Sequence, residues 1–342
     1  MSMKKVKYVV VGQGLAGTAI SMRLRKKGIS HLVIDDAEYS LSSKVAAGLI
    51  NPIVLKRLSL VADAGVFLPA ADVFYKEFET LTGVKTHFNV PLKHIFNDIA
   101  EVNHWQEKMG DARFYDHLGE PEVSANENIK APFGVAPVKT ASWLNTRLYL
   151  DSYAKFLESE GLLVKTQLSD LNQDSINALG VEYEELILCV GFKMPKSTPE
   201  LKDLFRPTKG EVLTIYSEEL PQDYIVHKKI FILPYGEHMY KVGSTYNWNE
   251  LDHRPSAQAK EELLEALENM FGANYEVVEH EAGVRPNTKD RKPLMGTFKG
   301  MHIFNGLGSR GALMAPYLSQ VMVNYLLEQK PIPQKWDLKR FI

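Results

Sequence analysis

Hydrophobic runs and glycines at the start of the chain predict a strand–helix–strand unit. Residues 8–11 form a continuous apolar run, which is typical of a parallel strand buried on both faces. Three glycines with the spacing G-x-G-x-x-G follow this run: Gly12, Gly14 and Gly17. A stretch with helical spacing comes next, and a second apolar run at residues 32–34 ends at Asp35. This order of strand, glycine turn, helix, strand and acid is that of a dinucleotide-binding unit.

Each residue type in this unit has a physical reason to contact a nucleotide. Gly12 suits a tight turn, Gly14 lets the backbone approach a pyrophosphate, and Gly17 allows close packing of the helix on the strand. The helix N-terminus offers N–H groups and a partial positive charge to phosphates. Asp35 stands where an acid accepts hydrogen bonds from ribose hydroxyls. We therefore predict an ADP-containing dinucleotide. The alternative is a strand–helix turn without a ligand, and the motif does not distinguish NAD from FAD.

Amphipathic spacing and further apolar runs predict the elements in the rest of the chain. Helices are predicted at residues 63–83, 144–161 and 258–271. Strands are predicted at residues 162–168, 185–192, 211–216, 230–233 and 239–246. Residues 36–52 are rich in small side chains, which suit either a backbone that contacts a ligand or an ordinary connecting loop. Residues 84–104 contain strand-like pieces, and residues 110–140 are rich in turn formers.

A second glycine-rich turn lies near the end of the chain. A predicted strand, MHIFNG at residues 301–306, leads into Gly306, Gly308 and Gly311, and a helix with Pro316 near its start follows. We predict an α/β fold (α+β overall), in which a discontinuous Rossmann-like domain has a central parallel sheet and a smaller substrate domain has a mixed or antiparallel sheet. The nucleotide-binding domain comprises residues 1–80, 142–205 and 280–342, and the substrate domain comprises residues 81–141 and 206–279.

Composition narrows the functional classes. The chain has 342 residues, which suggests two domains, and its net charge of −2 provides no general attraction to nucleic acid or anionic membranes. The single cysteine, Cys189, excludes an internal disulfide and is compatible with a reducing cytosol. No apolar run approaches the roughly 20 residues that span a bilayer, and the N-terminus leaves no room for a signal peptide. We therefore expect a cytoplasmic protein. The ten histidines have no metal-ligand spacing, so we predict no metal site.

Several segments together resemble a known family. They are VVVGQGLAG…VIDD, SSKVAAGLINP, LILCVGF, AGVRPNTKDRKPLMG, and NGLGSRGALMAP with the closing Arg340–Phe341. The chain resembles the FAD-dependent D-amino-acid oxidase superfamily, especially its glycine and sarcosine oxidase branch. It is also similar to the FAD domain of the bifunctional enzyme that makes 5-methylaminomethyl-2-thiouridine in tRNA. The resemblance implies FAD rather than NAD, and it implies noncovalent FAD because Cys189 lies within a predicted buried strand.

The resemblance implies a set of cofactor contacts. The pyrophosphate is expected at Gly12, Gly14, Leu15, Ala16 and Gly17, and the adenosine at Asp35, Asp36 and the backbone of Leu168. Phosphate or ribityl oxygens are expected at Ser42 and Ser43, and the isoalloxazine above Ala47, Gly48 and Leu49. Gly191, which follows the strand at residues 185–192, is assigned to the same cofactor. The flavin pyrimidine edge is expected at Gly306, Leu307, Gly308, Ser309, Arg310, Gly311 and Leu313, where a helix N-terminus and Arg310 stabilise negative charge.

The resemblance also implies substrate-side roles. Arg285 matches the arginine that binds the substrate carboxylate, for which a planar fork of donors is well suited. The alternative is a structural ion pair of Arg285 with Asp290 or Glu281. Lys241 matches a lysine proposed to activate O2, and the alternative is a strand lysine that faces solvent. The substrate-side tyrosines of glycine oxidase have no certain counterpart in this chain, although Tyr240 and Tyr246 lie near Lys241 in the sequence.

The expected activity is oxidation of the C–N bond of a small or N-substituted amino acid. Hydride transfer to flavin N5 would give an imine that water hydrolyses, with O2, a quinone or a carrier protein as the final electron acceptor. A second hypothesis is oxidative removal of a carboxymethyl group from a modified tRNA uridine. The GLGSRG turn favours it, whereas the balanced charge and the absence of a fused methyltransferase half disfavour it. A third hypothesis is a flavin-binding scaffold or sensor without turnover.

Overall fold

The helices and strands were assigned in a computed structural model that describes residues 3–36, 38–167, 173–193 and 198–342. The helices are α1 (Leu15–Lys26), α2 (Glu38–Val45), α3 (Ala64–Thr82), α4 (Ile99–Met109), α5 (Thr146–Ser159), α6 (Gln173–Asn177), α7 (Pro199–Lys202), α8 (Ala257–Glu268) and α9 (Gly311–Glu328). The first nine strands are β1 (Lys4–Val11), β2 (His31–Asp35), β3 (Leu49–Ile50), β4 (Ile53–Val54), β5 (Ser59–Leu60), β6 (His87–Asn89), β7 (Leu92–Ile95), β8 (Val135–Val138) and β9 (Ser142–Leu144). The others are β10 (Leu163–Lys165), β11 (Val181–Leu188), β12 (Thr208–Tyr216), β13 (Ile225–His227), β14 (Phe231–Gly236), β15 (Met239–Gly243), β16 (Glu276–Arg285), β17 (Leu294–Phe298) and β18 (Met301–Asn305).

A six-stranded sheet with the order β10–β2–β1–β11–β18–β17 contains both glycine turns at its strand ends. Its pairs are parallel except for β17, which runs antiparallel to β18 at one edge. Tyr8 and Val10 lie in one buried cluster with α1, α3, α5 and α9, whereas Val9 and Val11 lie in a second cluster on the opposite face. Strand β1 is continuously apolar because both of its faces are covered. The predicted parallel sheet of an α/β fold is confirmed.

The helix after the first glycine turn approaches β1 very closely. Gly12 has a φ of 96°, which favours glycine. A Cβ added at Gly17 would lie 1.7 Å from the carbonyl oxygen of Gly12, so that only hydrogen fits there. The predicted packing role of Gly17 therefore has a geometric basis, and it holds the N-terminus of α1 at the end of β1.

The second large sheet has seven strands in the order β16–β12–β15–β14–β13–β7–β8. All of its pairs are antiparallel except β13 with β7. Successive side chains along each strand point to opposite faces of the sheet. One face packs Leu213, Tyr240 and Val242 against the apolar side of α8. The other face carries Lys241, Glu281 and Arg285. A mixed sheet beside the parallel sheet agrees with the predicted fold class.

Three parts of this fold differ from the sequence-based expectation. The small-residue segment after β2 contains α2, a helix that packing on β16 stabilises, since the region around Gly283 lies against Ser42 and Val45. The helix α4 was not predicted, although Asp98 caps it by accepting a hydrogen bond from the Glu101 N–H at 2.8 Å. The strand expected over 239–246 ends at Gly243, and an isolated bridge between Asn247 and Lys209 continues the pairing with β12.

The strands do not follow the predicted domain boundaries at every point. Strand β16 pairs with β12 through Arg285, so it crosses the boundary drawn between residues 279 and 280. A three-stranded sheet, β3–β9–β6, joins segments assigned to different domains. The division into two domains stays a prediction. Within the described ranges, no helix combines the length and apolarity that crossing a bilayer requires.

Substitution of Gly17 tests the close approach of α1 to β1. Gly17→Ala should lower the free energy of unfolding by about 1–3 kcal/mol, because the new Cβ must push the helix away from Gly12. Gly65→Ala is the matched control, since Gly65 lies in helix α3 and a Cβ there meets no atom within 4 Å. The control should be neutral or stabilising by up to about 1 kcal/mol. Urea unfolding that gives both variants the same stability would contradict the packing account.

Candidate active site

The two glycine turns lie side by side at the carboxyl ends of β1 and β18. Helix α1 begins at Leu15 and α9 begins at Gly311. A Cβ added at Gly311 would lie 2.8 Å from Cδ1 of Leu15, which shows how closely the two turns approach each other. Each helix N-terminus contributes backbone N–H groups and a partial positive charge. The arrangement provides two neighbouring sites for anionic groups.

Asp35 is positioned by the end of β2 beside the first glycine turn. Its Oδ1 accepts a hydrogen bond from the Gln13 N–H at 2.9 Å, and the side chain is buried. The next residue, Asp36, is half-buried at the same end of the strand. An acid at this place fits the ribose of a nucleotide whose pyrophosphate lies on the glycine turn. Leu168, which was expected at the adenine, lies outside the described residues.

Helix α2 connects the first glycine turn to the seven-stranded sheet. The Leu15 N–H donates to Ser43 Oγ at 3.2 Å, and the Val284 N–H donates to Ser42 Oγ at 3.1 Å. Ser43 therefore contacts the first glycine turn and Ser42 contacts β16. The sequence did not reveal this division. Gly48 follows with a φ of 74°, and a Cβ there would lie 1.8 Å from the Leu144 carbonyl oxygen. This contact holds the backbone from Ala47 to Leu49 against β9.

The second glycine turn packs on the segment that follows Arg285. A Cβ added at Gly308 would lie 2.5 Å from Oδ1 of Asn287, and Gly306 is similarly close to Thr288. Asn305 donates to the carbonyl oxygen of Gly191 at 2.6 Å, which ties this turn to the end of β11. The side chains of Leu307 and Leu313 are buried in the core, whereas Ser309 is exposed. The predicted cofactor residues at both ends of the chain are thus brought together.

Arg285 is held in a defined orientation at the end of β16. Its Nη2 donates to Ser244 Oγ at 2.6 Å and its Nη1 donates to the Thr245 carbonyl oxygen at 3.2 Å. The guanidinium lies directly on Gly210, where a Cβ would be 2.0 Å from Nη2. The ring centroid of Tyr246 lies 4.5 Å from Cζ of Arg285. Because a guanidinium has five N–H donors, these two hydrogen bonds leave three donors for a ligand.

No carboxylate of the described residues lies within ion-pair distance of Arg285. The two acids named as alternative partners are otherwise engaged. Asp290 Oδ2 accepts from Arg340 Nε at 2.8 Å, and Glu281 pairs with Lys241. Burial lowers the pKa of the Arg285 guanidinium, which means that the cation is incompletely solvated. The structural ion-pair alternative is therefore wrong, and the cation is suited to an external anion.

Lys241 does not face solvent. Its side chain is about 5% exposed, and its Nζ lies 2.7 Å from Oε2 of Glu281. Arg147, from α5, pairs with the other oxygen of the same carboxylate. The Nζ also lies 5.3 Å from the ring centroid of Tyr235. The expectation of a solvent-facing lysine is wrong, because Glu281 and its neighbours bury the ammonium.

Sequence reasoning missed the carboxylate of Glu281 as a site residue. The available signal was its even spacing from Arg285 along one strand, which places both side chains on the same face. Arg310 is half-buried near the same region, and burial lowers the pKa of its guanidinium. No carboxylate in the described part of the chain lies within ion-pair distance of Arg310. The site therefore contains more cationic than anionic side chains.

These features fit an FAD molecule. Two helix N-termini, an acid at the end of β2 and glycines that allow backbone approach suit its pyrophosphate and ribose. The thiol of Cys189 is buried, and burial raises its pKa, so it is a poor candidate for covalent attachment. Noncovalent binding stays a prediction. In the described ranges, His, Cys, Asp and Glu side chains nowhere gather in a group of three that resembles a metal site.

The family follows from a comparison with known proteins. Residues 7–325 match the family described as FAD dependent oxidoreductase (DAO). The chain belongs to this family and is an FAD-dependent oxidoreductase.

Three relatives show how this chain compares within the family. A glycine oxidase of Bacillus subtilis is 26% identical over 59% of this chain and 54% of its own length. A glycine oxidase of Bacillus licheniformis is 22% identical over 97% of this chain and 96% of its own length. The tRNA 5-methylaminomethyl-2-thiouridine biosynthesis bifunctional protein MnmC of Leptospira interrogans is 21% identical over 97% of this chain and 59% of its own length. The chain thus spans little more than half of the first and the third relative.

Solved structures with the same fold include two oxidases. The glycine oxidase of Geobacillus kaustophilus superposes with a TM-score of 0.82, at 20% identity and 98% coverage of both chains. The iminodiacetate oxidase of Chelativorans sp. BNC1 superposes with a TM-score of 0.77, at 18% identity, covering 96% of this chain and 98% of its own. At these identities the likeness shows the fold.

The buried charge pair makes a testable contribution to stability. Glu281→Gln should lower the free energy of unfolding by about 3–5 kcal/mol, because it removes the carboxylate that Lys241 and Arg147 share and leaves Lys241 only the longer contact with Glu279 at 3.9 Å. Lys241→Met should lower the free energy of unfolding by less, since Glu281 keeps its contact with Arg147. Lys76→Met is the control, because this exposed lysine pairs with Asp72 at 2.7 Å on the surface and should change stability by under about 1 kcal/mol. Urea unfolding at saturating FAD that gives Glu281→Gln the stability of the control would contradict a structural role of this pair.

Proposed function

We propose that this FAD-dependent oxidoreductase oxidises the C–N bond of a small or N-substituted amino acid. The observation that carries the proposal is the orientation of Arg285, a half-buried cation with three donors left and no acidic partner among the described residues. The relatives named glycine oxidase and the structural neighbour named iminodiacetate oxidase support an amino-acid substrate.

The residues around Arg285 account for recognition of a carboxylate. Ser244 and the Thr245 carbonyl group fix the plane of the guanidinium, and Gly210 gives it space. A carboxylate in that plane forms a bidentate, charge-assisted pair, which orients the Cα–N bond of the substrate. Because the guanidinium is pre-oriented, little side-chain freedom is lost on binding.

The reaction is a two-electron oxidation of the amine. Bound FAD supplies the acceptor for the hydride that leaves the α-carbon. The nitrogen loses its proton, the C–N bond becomes a C=N bond, and water then adds to the imine and releases a free amine and an oxo acid. The chain contributes carboxylate binding and orientation, and the two helix N-termini and Arg310 provide positive charge where negative charge develops.

Lys241 is proposed to assist the reoxidation of the enzyme. Its ammonium is held by Glu281 on the face of the seven-stranded sheet that also carries Arg285. A positive charge that is shielded from water favours electron transfer to O2, because it stabilises the anion that forms. O2 is the proposed acceptor, and a quinone or a carrier protein is the alternative.

A second candidate function is removal of a carboxymethyl group from a modified tRNA uridine. The similarity to MnmC along 97% of this chain favours it. The net charge of −2 gives no electrostatic support for binding a polyanion, so we favour the free amino acid.

Replacement of Arg285 tests the proposal. In Arg285→Ala, kcat/KM for N-methylglycine should fall by about 30- to 1000-fold, the loss expected for one desolvated charge-assisted pair. The value for dimethylamine, which is the same substrate without its carboxylate, should change little. Arg285→Lys should recover part of the loss, because it restores the charge without the planar fork. Anaerobic flavin reduction by each substrate, measured by absorbance, gives the rates.

Two controls separate recognition from misfolding. Arg113→Ala removes an exposed arginine whose Nη2 lies 2.5 Å from Asp111, and it should leave both rates unchanged. Retention of FAD and an unchanged Tm in Arg285→Ala should accompany the selective loss. Equal losses for the acid and the amine would show that Arg285 serves the fold or the flavin instead. Failure of the wild-type flavin to be reduced by any amino acid would reject the proposed function.

A further inference from the structure

Two exposed aromatic side chains lie next to each other, and one of them contacts Arg285. Tyr246 is about 57% exposed and Trp248 about 61% exposed. Their rings are nearly parallel, with an interplanar angle of 24° and centroids 6.3 Å apart. Tyr246 also covers the guanidinium of Arg285. Exposure of both rings at the proposed carboxylate site calls for a physical explanation, because large aromatic side chains gain most from burial.

The segment that carries these rings is firmly held. The backbone of Asn247 exchanges two hydrogen bonds with Lys209 on β12, at 2.8 and 2.9 Å. Asn247 Oδ1 accepts from the Asn249 N–H at 2.8 Å. The fully buried side chain of Lys209 anchors the end of the segment, because its Nζ lies 2.7 Å from Oδ1 of Asp252. The exposure of Tyr246 and Trp248 is therefore a property of the folded loop.

Trp248 is not needed to hold Arg285. Tyr246 already covers the guanidinium, and the ring contact that the structure gives Trp248, within the described residues, is the one with Tyr246. The other tryptophans, Trp105, Trp143 and Trp336, are each at most 5% exposed. Trp248 thus presents an indole face to solvent beside the carboxylate anchor, where neither fold nor carboxylate binding requires it.

We infer that Tyr246 and Trp248 form an aromatic subsite that binds a planar aromatic substituent on the substrate nitrogen. The inference rests on the proposed function and names its substrate class, N-(arylmethyl)glycine compounds. When the carboxylate lies on Arg285, the nitrogen is two bonds away from the carboxylate carbon. The Tyr246 ring centroid is 4.5 Å from Cζ of Arg285 and the Trp248 ring is next to it, so the pair stands at the distance of a substituent on that nitrogen. Tyr246 and Trp248 are uncharged, so the subsite favours a planar, polarisable group over a charged one. The small net charge of the chain favours a free small molecule over a nucleic acid.

Ether analogues of the substrates test this subsite without turnover. Methoxyacetate, benzyloxyacetate and cyclohexylmethoxyacetate carry oxygen in place of the substrate nitrogen, and they differ only in the substituent. The FAD-loaded enzyme should bind benzyloxyacetate about tenfold more tightly than methoxyacetate, and more tightly than the non-planar cyclohexyl analogue. Flavin absorbance reports binding. Quenching of tryptophan fluorescence reports the contact, because Trp248 is the exposed tryptophan among the four.

Variants assign the effect to Trp248. In Trp248→Ala, the tenfold ratio between benzyloxyacetate and methoxyacetate should fall to near one, and Trp248→Phe should restore part of it. Tyr115→Ala is the control, since Tyr115 is another exposed ring, about 74% exposed, on the segment between α4 and β8. This control should keep the ratio and the fluorescence response of the wild type.

The outcomes distinguish this inference from the proposed function. Equal binding of the three ethers, a tenfold ratio that survives in Trp248→Ala, or cyclohexyl binding as tight as benzyl binding would each overturn the aromatic subsite. Flavin reduction by N-methylglycine would still support the proposed function in those cases. If methoxyacetate does not bind and N-methylglycine does not reduce the flavin, the proposed function fails and the inference fails with it.

Discussion

A half-buried arginine cation without an acidic partner among the described residues is the constraint on which this site depends. Removing a guanidinium from water costs free energy, and a protein usually recovers it with a carboxylate. Around Arg285 the described residues offer a hydroxyl, a carbonyl oxygen and an aromatic ring instead. The cost is therefore only partly offset in the folded chain, and we propose that the carboxylate of a substrate completes the set. Gly210 is essential to this geometry, because any side chain there would occupy the position of the guanidinium.

The remaining charges are arranged around this cation in a consistent way. Glu281 lies on the same strand as Arg285, four residues earlier, but it is engaged by Lys241 and Arg147. That pairing keeps an acid from competing for Arg285 and buries an ammonium on the same face. Strand β16 consequently connects three features: the Lys241 pair, the contact of Ser42 with Val284, and the arginine itself. The second glycine turn packs directly behind it, so both sheets contribute to one site.

Local patterns in the sequence predicted the two glycine turns and the strands that precede them. Features that depend on long-range contacts were missed. The apolar runs and glycines around Gly12 and Gly306 act within a few residues, so the sequence alone indicates both turns and Asp35. The burial of Lys241 depends on Glu281, which is 40 residues away, and the space for Arg285 depends on Gly210 on another strand. Helix α2 exists because β16 packs on it, which no local pattern of Ser42 and Ser43 encodes. Trp248 carried no signal, because its exposure is visible only in the fold.

The central claim is that Arg285 receives the substrate carboxylate, and a crystal structure of the FAD-loaded enzyme with methoxyacetate tests it most directly. The account predicts the carboxylate in the plane of the Arg285 guanidinium, with both oxygens within about 3 Å of its nitrogen atoms. It also predicts that the contacts to Ser244 and Thr245 persist. A carboxylate bound to Arg310 or Lys241, with Arg285 still bonded only to residues 244 and 245, would contradict the account.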